Sequence, residues 1–412
     1  MPGLAILRAR SVRLLDWAVA FWIFTGFVVF IEPSPYEVSF LMMLPVAILA
    51  GMGLYRSTLG LLAIILAFTP FALIAAFQVR QGDLTDALVF NLVTIFLMLT
   101  AYVAANYIAE NTLPRMRLIV AAYTAAALLA AIIGTLAYLG LMPASELFLR
   151  YGRARATFKD PNVYGPFLVL PAAFALQRLL LADRLRTVLF SGVIYLVLFV
   201  GAFVSFSRAA WGHFAVSSFL VLVLVFVLEA RAREKVRIML MALAGAMVLL
   251  VALAGLLSIP TVADLFESRL GSQNYDTGET GRFGRQGYAF ELALEHPLGL
   301  GPGEFSRMRI MEEPHNVYVS VLHVYGWGGG LMFYVLIGAT LWKGWQAVAR
   351  PSPYRLLAIP LMATFFVVVL ESVIIDSDHW RHIYLLIGLI WGVSSAMGRD
   401  PRRAGPRHEV LV

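Results

Sequence analysis

The sequence predicts an all-α integral membrane protein of about twelve transmembrane helices, with one large, partly helical outer loop. Composition is the first observation behind this. Of 412 residues, 60% are hydrophobic and 14% charged, against roughly 25% charged in soluble domains, and the mean hydropathy is +0.80. Periodicity of polarity is the second: apolar runs of about 20 residues, enough to cross a ~30 Å hydrocarbon core as helix, recur along almost the whole chain. They lie near 12–31, 37–55, 57–77, 84–108, 117–141, 161–182, 186–205, 209–229, 236–258, 316–343, 354–375 and 380–397. The chain therefore reads as a single polytopic domain over 1–412, with the loop 259–314 inside it.

Charge sorting is the third observation. The first run follows Arg8, Arg10 and Arg13, is too long for a signal peptide and lacks a small-residue cleavage site, which predicts a retained signal anchor. With the N-terminus placed inside, most of the 32 Lys and Arg fall in inner connections: the N-terminal tail, Arg56, Arg115, Arg117, Arg178, Arg184, Arg186, the segment 231–237, Lys343, Arg350, Arg355 and the C-terminal tail. This satisfies the positive-inside rule and puts both termini in the cytoplasm. The net charge of +7 is then mostly an orientation signal and gives no case for nucleic-acid binding. Cysteine is absent, which removes disulfide and thiolate chemistry.

The basic residues left outside are the informative ones, because topology alone would keep them inside. Apart from Arg80 they fall in connections five, seven, nine and eleven: Arg150, Arg153, Arg155, Lys159, Arg208, Arg269, Arg282, Arg285, Arg307, Arg309 and Arg381. Solvated loops and headgroup contacts account for any one of them. For the set, an outer anion site is the better account, since the guanidinium fork matches phosphate oxygens. Arg208, in SFSRAAWGHF (205–214), stands at the start of an expected helix, where a cation opposes the macrodipole. A bound anion would resolve the conflict. The connection ending in ATFKDPNVYGPF makes Asp160, Pro161 and Asn162 a turn and helix start,.

The long polar connection 259–314 contains a second helix signal. GETGRFGRQGYAFELALEHPLGLGPGEF suggests a helix from about 280 to 296, ended by Pro297 and Gly299, Gly301 and Gly303. Arg282 and Arg285 share one face, while Phe283, Phe290 and Leu294 share another, which suits a helix lying at the membrane surface. GLGPG lacks the spacing of a dinucleotide fingerprint. Neither a Walker A, an H-E-x-x-H nor an Asp-x-Asp pair occurs in the loop. Carboxylates and histidines do meet in DSDHWRH (376–382), where turn chemistry is the better reading and no metal site is expected.

PHNVYVSVLHVYGWGGG (314–330) begins an apolar run with titratable and hydrogen-bonding groups. His315 falls at a helix N-terminus on the arginine side, where the dipole disfavours the imidazolium and leaves a neutral base. Abstraction of a hydroxyl proton requires such a group. Gly326, Gly328, Gly329 and Gly330 allow the helix to break or pack closely.

Together FKDPNVYGPFL (158–168), SFSRAAW (205–211), TGRFGRQGYAFELALEHPLGLGPGEF (280–305) and PHNVYVSVLHVYGWGGGLMFY (314–334) resemble the O-antigen ligase and O-antigen polymerase family of bacterial envelope glycosyltransferases. The resemblance covers roughly 150–345 and implies a GT-C-like fold in the bacterial inner membrane, with its large loop and active site facing the periplasm. It implies an undecaprenyl-diphosphate-linked glycan donor, a lipid A-core or glycan acceptor, and neither cofactor nor metal. Carried over by position, it assigns Arg208, Arg282 and His315 as catalytic. Arg285, Lys159, Asp160, Asn162, Asn316 and Arg155 are expected to bind substrate.

Two rivals remain at this level. An O-antigen or exopolysaccharide polymerase would keep the chemistry and change the acceptor to a lipid-linked glycan. A polytopic transporter is suggested by twelve spans and the glycine break, but it lacks an internal repeat and a carboxylate relay.

Overall fold

The computed structural model describes residues 2–271, 278, 281–308 and 312–398; Arg309 and the basic C-terminal tail lie outside them, as does the side chain of Arg8. The described chain is almost wholly helical. In order it has α1 (Pro2–Thr25), α2 (Pro35–Leu49), α3 (Leu59–Ala76), α4 (Leu84–Glu110), α5 (Thr112–Tyr138), a hairpin of β1 (Leu149–Arg150) and β2 (Arg153–Ala154), α6 (Pro161–Phe167) and α7 (Val169–Leu181). It continues with α8 (Leu185–Phe203), α9 (Arg208–Leu228), α10 (Ala232–Leu257), α11 (Pro260–Leu270), α12 (Arg282–Glu295), α13 (Phe305–Met308), α14 (Val317–Ala349), α15 (Arg355–Glu371) and α16 (Arg381–Met397).

Each of the twelve apolar runs coincides with a helix, the sixth being divided between α6 and α7. Among the described residues, eight helical stretches are long and apolar enough to cross a membrane: Arg56–Ala76, Leu84–Glu110, Thr112–Tyr138, Pro161–Leu181, Leu185–Phe203, Arg208–Leu228, Ala232–Leu257 and Val317–Ala349. α2, α15 and α16, with 15, 17 and 17 residues, reach only about 22 to 26 Å at 1.5 Å per residue. α1 carries arginines in its first half.

Lipid and protein contacts are separable by burial. Ile238 is the one buried residue of α10, and Met239, Leu243, Met247 and Val251 stand more than half exposed. Such a surface suits hydrocarbon. The opposite case is α4 against α16, where Gly388 and Gly392 form a small-xxx-small face. A Cβ at Gly388 would lie 2.5 Å from the Ala101 carbonyl oxygen, and one at Gly392 2.6 Å from Ile108 Cβ. With no hydrophobic force between helices in lipid, close backbone approach is what holds such a pair.

α14 is broken at the first of its clustered glycines. Gly326 has φ 71° and ψ 178°, a region open essentially to glycine alone. In a straight helix Tyr318 and Tyr334 would stand about 24 Å apart, yet the Tyr334 hydroxyl donates to the Tyr318 carbonyl oxygen. A Cβ at Gly330 would lie 3.3 Å from Leu322 Cα. The arm 317–325 is thus folded back on 327–349, and that second part, about 34 Å long, is the limb that can span.

The break strands backbone groups, and the loop meets them. Trp327 N–H donates to the Pro297 carbonyl at 2.9 Å, Leu300 N–H to the His323 carbonyl at 2.6 Å, and Gly301 N–H to the Val324 carbonyl at 3.3 Å. Trp327 Nε1–H donates to the Ala293 carbonyl at 2.7 Å. Pro297 to Gly301 therefore act as a backbone splint for a broken membrane helix. Gly299 must be glycine: its φ is 84°, and a Cβ there would meet Gly326 N at 2.6 Å.

Candidate functional site

Helix ends from distant parts of the sequence gather where α14 begins. Val317 N–H donates to the Ser372 carbonyl at the end of α15, Arg381 at the start of α16 pairs with Glu37 in the first turn of α2, and Lys159 pairs with Glu32 before α2. Val29 and Phe30 N–H donate to the Thr157 carbonyl. The loop is clamped to the same end, since Glu304, 2% exposed, accepts from the Gln81 and Gly82 N–H groups at 2.9 and 2.7 Å. Arg307 donates to the Gln81 carbonyl.

His315 lies one residue before the Asn316 cap of α14, in a left-handed conformation with φ 54°. Asn316 Oδ1 accepts from Tyr318 and Val319 N–H, the usual side-chain cap. His315 backbone N–H donates to Asp376 Oδ2 at 3.1 Å, and its Nδ1 lies 3.2 Å from the same oxygen. Ser320 Oγ donates to Asp376 Oδ1 at 2.7 Å. A carboxylate at Nδ1 fixes the ring and turns Nε2 outward, on a side chain that is 34% exposed. Burial pushes the Asp376 carboxyl up, but hydrogen bonds from His315 and Ser320 outweigh it and hold it below the usual range.

α12 brackets this pair. Gln286 donates to the carbonyls of His315 and Val373 and accepts from Asn316 Nδ2 at 3.3 Å. Arg285, 3% exposed, pairs with Glu312. Arg282 is the first residue of α12, half-buried and one turn from Arg285. The exposed face of α12 is apolar, with Phe283 at 61%, Phe290 at 47% and Leu294 at 53%. Glu313, beside His315, has its carboxyl raised to about 7, first by burial and then by the nearby Asp376 charge.

A second, basic group collects on the β1–β2 hairpin and the starts of α6 and α9. Asp160 caps α6 by accepting from Asn162 N–H at 2.8 Å and pairs with Arg150 at 3.2 Å. Arg153, 7% exposed, donates from Nε to the Ser205 carbonyl at 2.9 Å and from Nη2 to Asn162 Oδ1 at 2.8 Å. Burial, then the Arg269 charge, brings its pKa down to about 10. Arg269 is lowered in turn by burial and by Arg208. Arg208 is exposed at the first position of α9, after Ser207, which caps the helix by accepting from Ala210 N–H. Arg155 donates to the Leu147 carbonyl at 3.1 Å.

The sequence-predicted residues thus fall into two neighbourhoods. His315 and Asn316 share one network with Gln286 and Asp376, with Arg285 next to Gln286 on α12 and Arg282 a turn away, while Lys159, Asp160, Asn162 and Arg155 belong to the other, which Arg208 adjoins through Arg269. α9 and α15 tie the two together: His213 Nδ1 lies 2.7 Å from Glu371 Oε2, just before the turn that carries Asp376. Sequence reasoning did not single out Asp376, Gln286 or Glu313, and it counted Arg153 and Arg269 only within the outer basic set. DSDHWRH, expected to supply turn chemistry, supplies the partner of His315. Among the described residues no three His, Asp or Glu side chains are grouped to hold a metal ion.

No curated protein matches the chain. A family model does, and it covers the arginine at the start of α9, all of α12 and the histidine at the entry to α14: residues 193–334 match the family described as O-Antigen ligase.

Proposed function

We propose that the protein is a membrane glycosyltransferase of the O-antigen ligase type, moving a glycan from undecaprenyl diphosphate to a hydroxyl of lipid A-core oligosaccharide. The observation that carries this reading is the His315–Asp376 pair, whose histidine lies in the matched segment, accompanied by guanidinium groups at the same end of the helices. Twelve spans, both termini in the cytoplasm and a site facing the periplasm complete the proposal.

In this mechanism His315 Nε2 takes the proton of the acceptor hydroxyl as its oxygen attacks the anomeric carbon, and Asp376 stabilises the imidazolium formed. The bond from that carbon to the phosphate oxygen breaks on the opposite face, so the product anomer is inverted. Negative charge develops on the departing diphosphate, where Arg208 and Arg282 stabilise it without a metal ion. Arg153 and Arg269 extend the anion-binding surface behind Arg208, and Arg285 orders α12 through Glu312. Lys159, Asp160, Asn162, Asn316 and Arg155 shape the two walls.

The splint at Gly326 supports an enzyme over a transporter. Discontinuous helices in transporters offer their freed backbone groups to the substrate or ion. Here Pro297, Leu300 and Gly301 take up groups at the break. The test is transfer by the purified, reconstituted chain from undecaprenyl-diphosphate glycan, with chelator present, to either lipid A-core or a second lipid-linked glycan. Capped lipid A-core is the expected product. Elongation of the lipid-linked glycan instead makes the protein a polymerase, and no transfer to either defeats the reading.

A further inference from the structure

His323 is the buried group beside the site that the mechanism above leaves unused. It lies on the arm 317–325, three residues before the break, and is 0% exposed. Phe305 covers it at a ring distance of 5.2 Å. Neither Nδ1 nor Nε2 has a hydrogen-bond partner among the described residues. A neutral imidazole carries one N–H donor and one acceptor, and leaving both unmatched away from water is costly. Native structures meet such groups with ordered water.

The surroundings say where that water would sit. Ser320 is one turn before His323 on the same helix face, and its hydroxyl reaches Asp376 Oδ1. The Asp376 carboxylate has about four lone-pair positions; two contacts with His315 and one with Ser320 occupy three of them. His323 lies within electrostatic reach of Asp376 and of Asp378 in the same turn. Glu313 also lies within electrostatic reach of Asp376.

We propose that His323 is a positioning residue, holding the Asp376 carboxylate through one buried water molecule so that Asp376 in turn keeps His315 oriented as the base. This role rests on the reading of His315 above, so its test needs a part that does not depend on turnover. Thermal unfolding of the full chain in detergent, for wild type, H323F, D376N and the double variant, supplies it. A bridged pair predicts that the loss caused by H323F falls to less than half once D376N is present. H323Q, which keeps a donor and an acceptor, recovers most of the wild-type Tm.

In the transfer assay, H323F lowers kcat about tenfold with the donor KM unchanged. It also moves the acid limb of the pH profile upward, because a less supported Asp376 carboxylate takes a proton at higher pH. E313Q, run beside it, separates that movement from titration of Glu313. Additive Tm losses, or H323F and H323Q behaving alike, overturn the proposal. If the wild type transfers nothing, the functional reading fails, while the thermal cycle still decides whether His323 and Asp376 are linked.

Discussion

His315 and Asp376 stand 61 residues apart in the chain, and their pairing is the contact on which the proposed chemistry turns. H315A is expected to lower transfer at least about 100-fold, the usual contribution of a positioned general base, with the thermal transition little changed. D376N keeps the shape but removes the charge that stabilises the imidazolium, so kcat falls while donor KM stays. Near-normal turnover of H315A removes His315 as the base, and near-normal turnover of D376N removes Asp376 as its partner. Glu313 makes a separate, stability-based prediction. Its carboxyl moves from an ordinary 4.5 to about 7, so between those values the folded chain holds a proton that the unfolded chain has lost. Stability therefore falls as pH rises through that window and levels off above about 7. In E313Q that slope is absent, and parallel melting curves for wild type and E313Q from pH 4.5 to 7 would contradict the assignment. Little of this was legible beforehand. His315 announced itself as a polar residue opening an apolar run, but Asp376 has no local signal, because its role comes from a contact between two loops. Arg153 and Arg155 look equivalent in sequence. The end of the hairpin decides between them: β2 stops at Ala154, so Arg153 is buried against Ser205 and Asn162 and Arg155, past the strand, stays at the rim.

At the scale of elements, the folded-back α14 turns an ordinary span into a platform for the site. Glycines between 326 and 330 pointed to a break or a close approach, and both occur: the break at Gly326, the close approach at Gly330 against Leu322. The sharpness of the fold was not readable, because it depends on a loop segment about 25 residues upstream supplying the missing backbone partners. G326A should cost about 1–3 kcal/mol from its backbone conformation alone, and a Cβ there would also press on the Pro297 carbonyl oxygen at 2.6 Å. The expected result is a lowered Tm in detergent together with new protease sensitivity in 296–303, since the splint and the arm come apart together. A G326A chain that melts like wild type would mean that the arm does not depend on this turn.

For the whole molecule, helix positions were legible because hydropathy over 20 residues is a statement about solvent, and the exposed apolar side chains of α10 are consistent with a hydrocarbon one. Which end of the bundle faces which compartment is a different matter, carried by charge. Arg115 weakens that signal in one place: expected as an inner topogenic charge, it is 4% exposed, donates to the Tyr107 carbonyl and pairs with Glu110, so it serves packing as well. Because the chain has no cysteine, single cysteines report orientation without background. Glu146, exposed in the connection before β1, and Pro351, exposed between α14 and α15, lie in connections assigned to opposite sides. In spheroplasts, E146C should react with a membrane-impermeant maleimide, and P351C only after the membrane is disrupted. The reverse pattern would put His315 and the arginines in the cytoplasm, where the lipid-linked glycan proposed here would not meet them, and the donor assignment would have to change even if every side-chain contact in the site were correct.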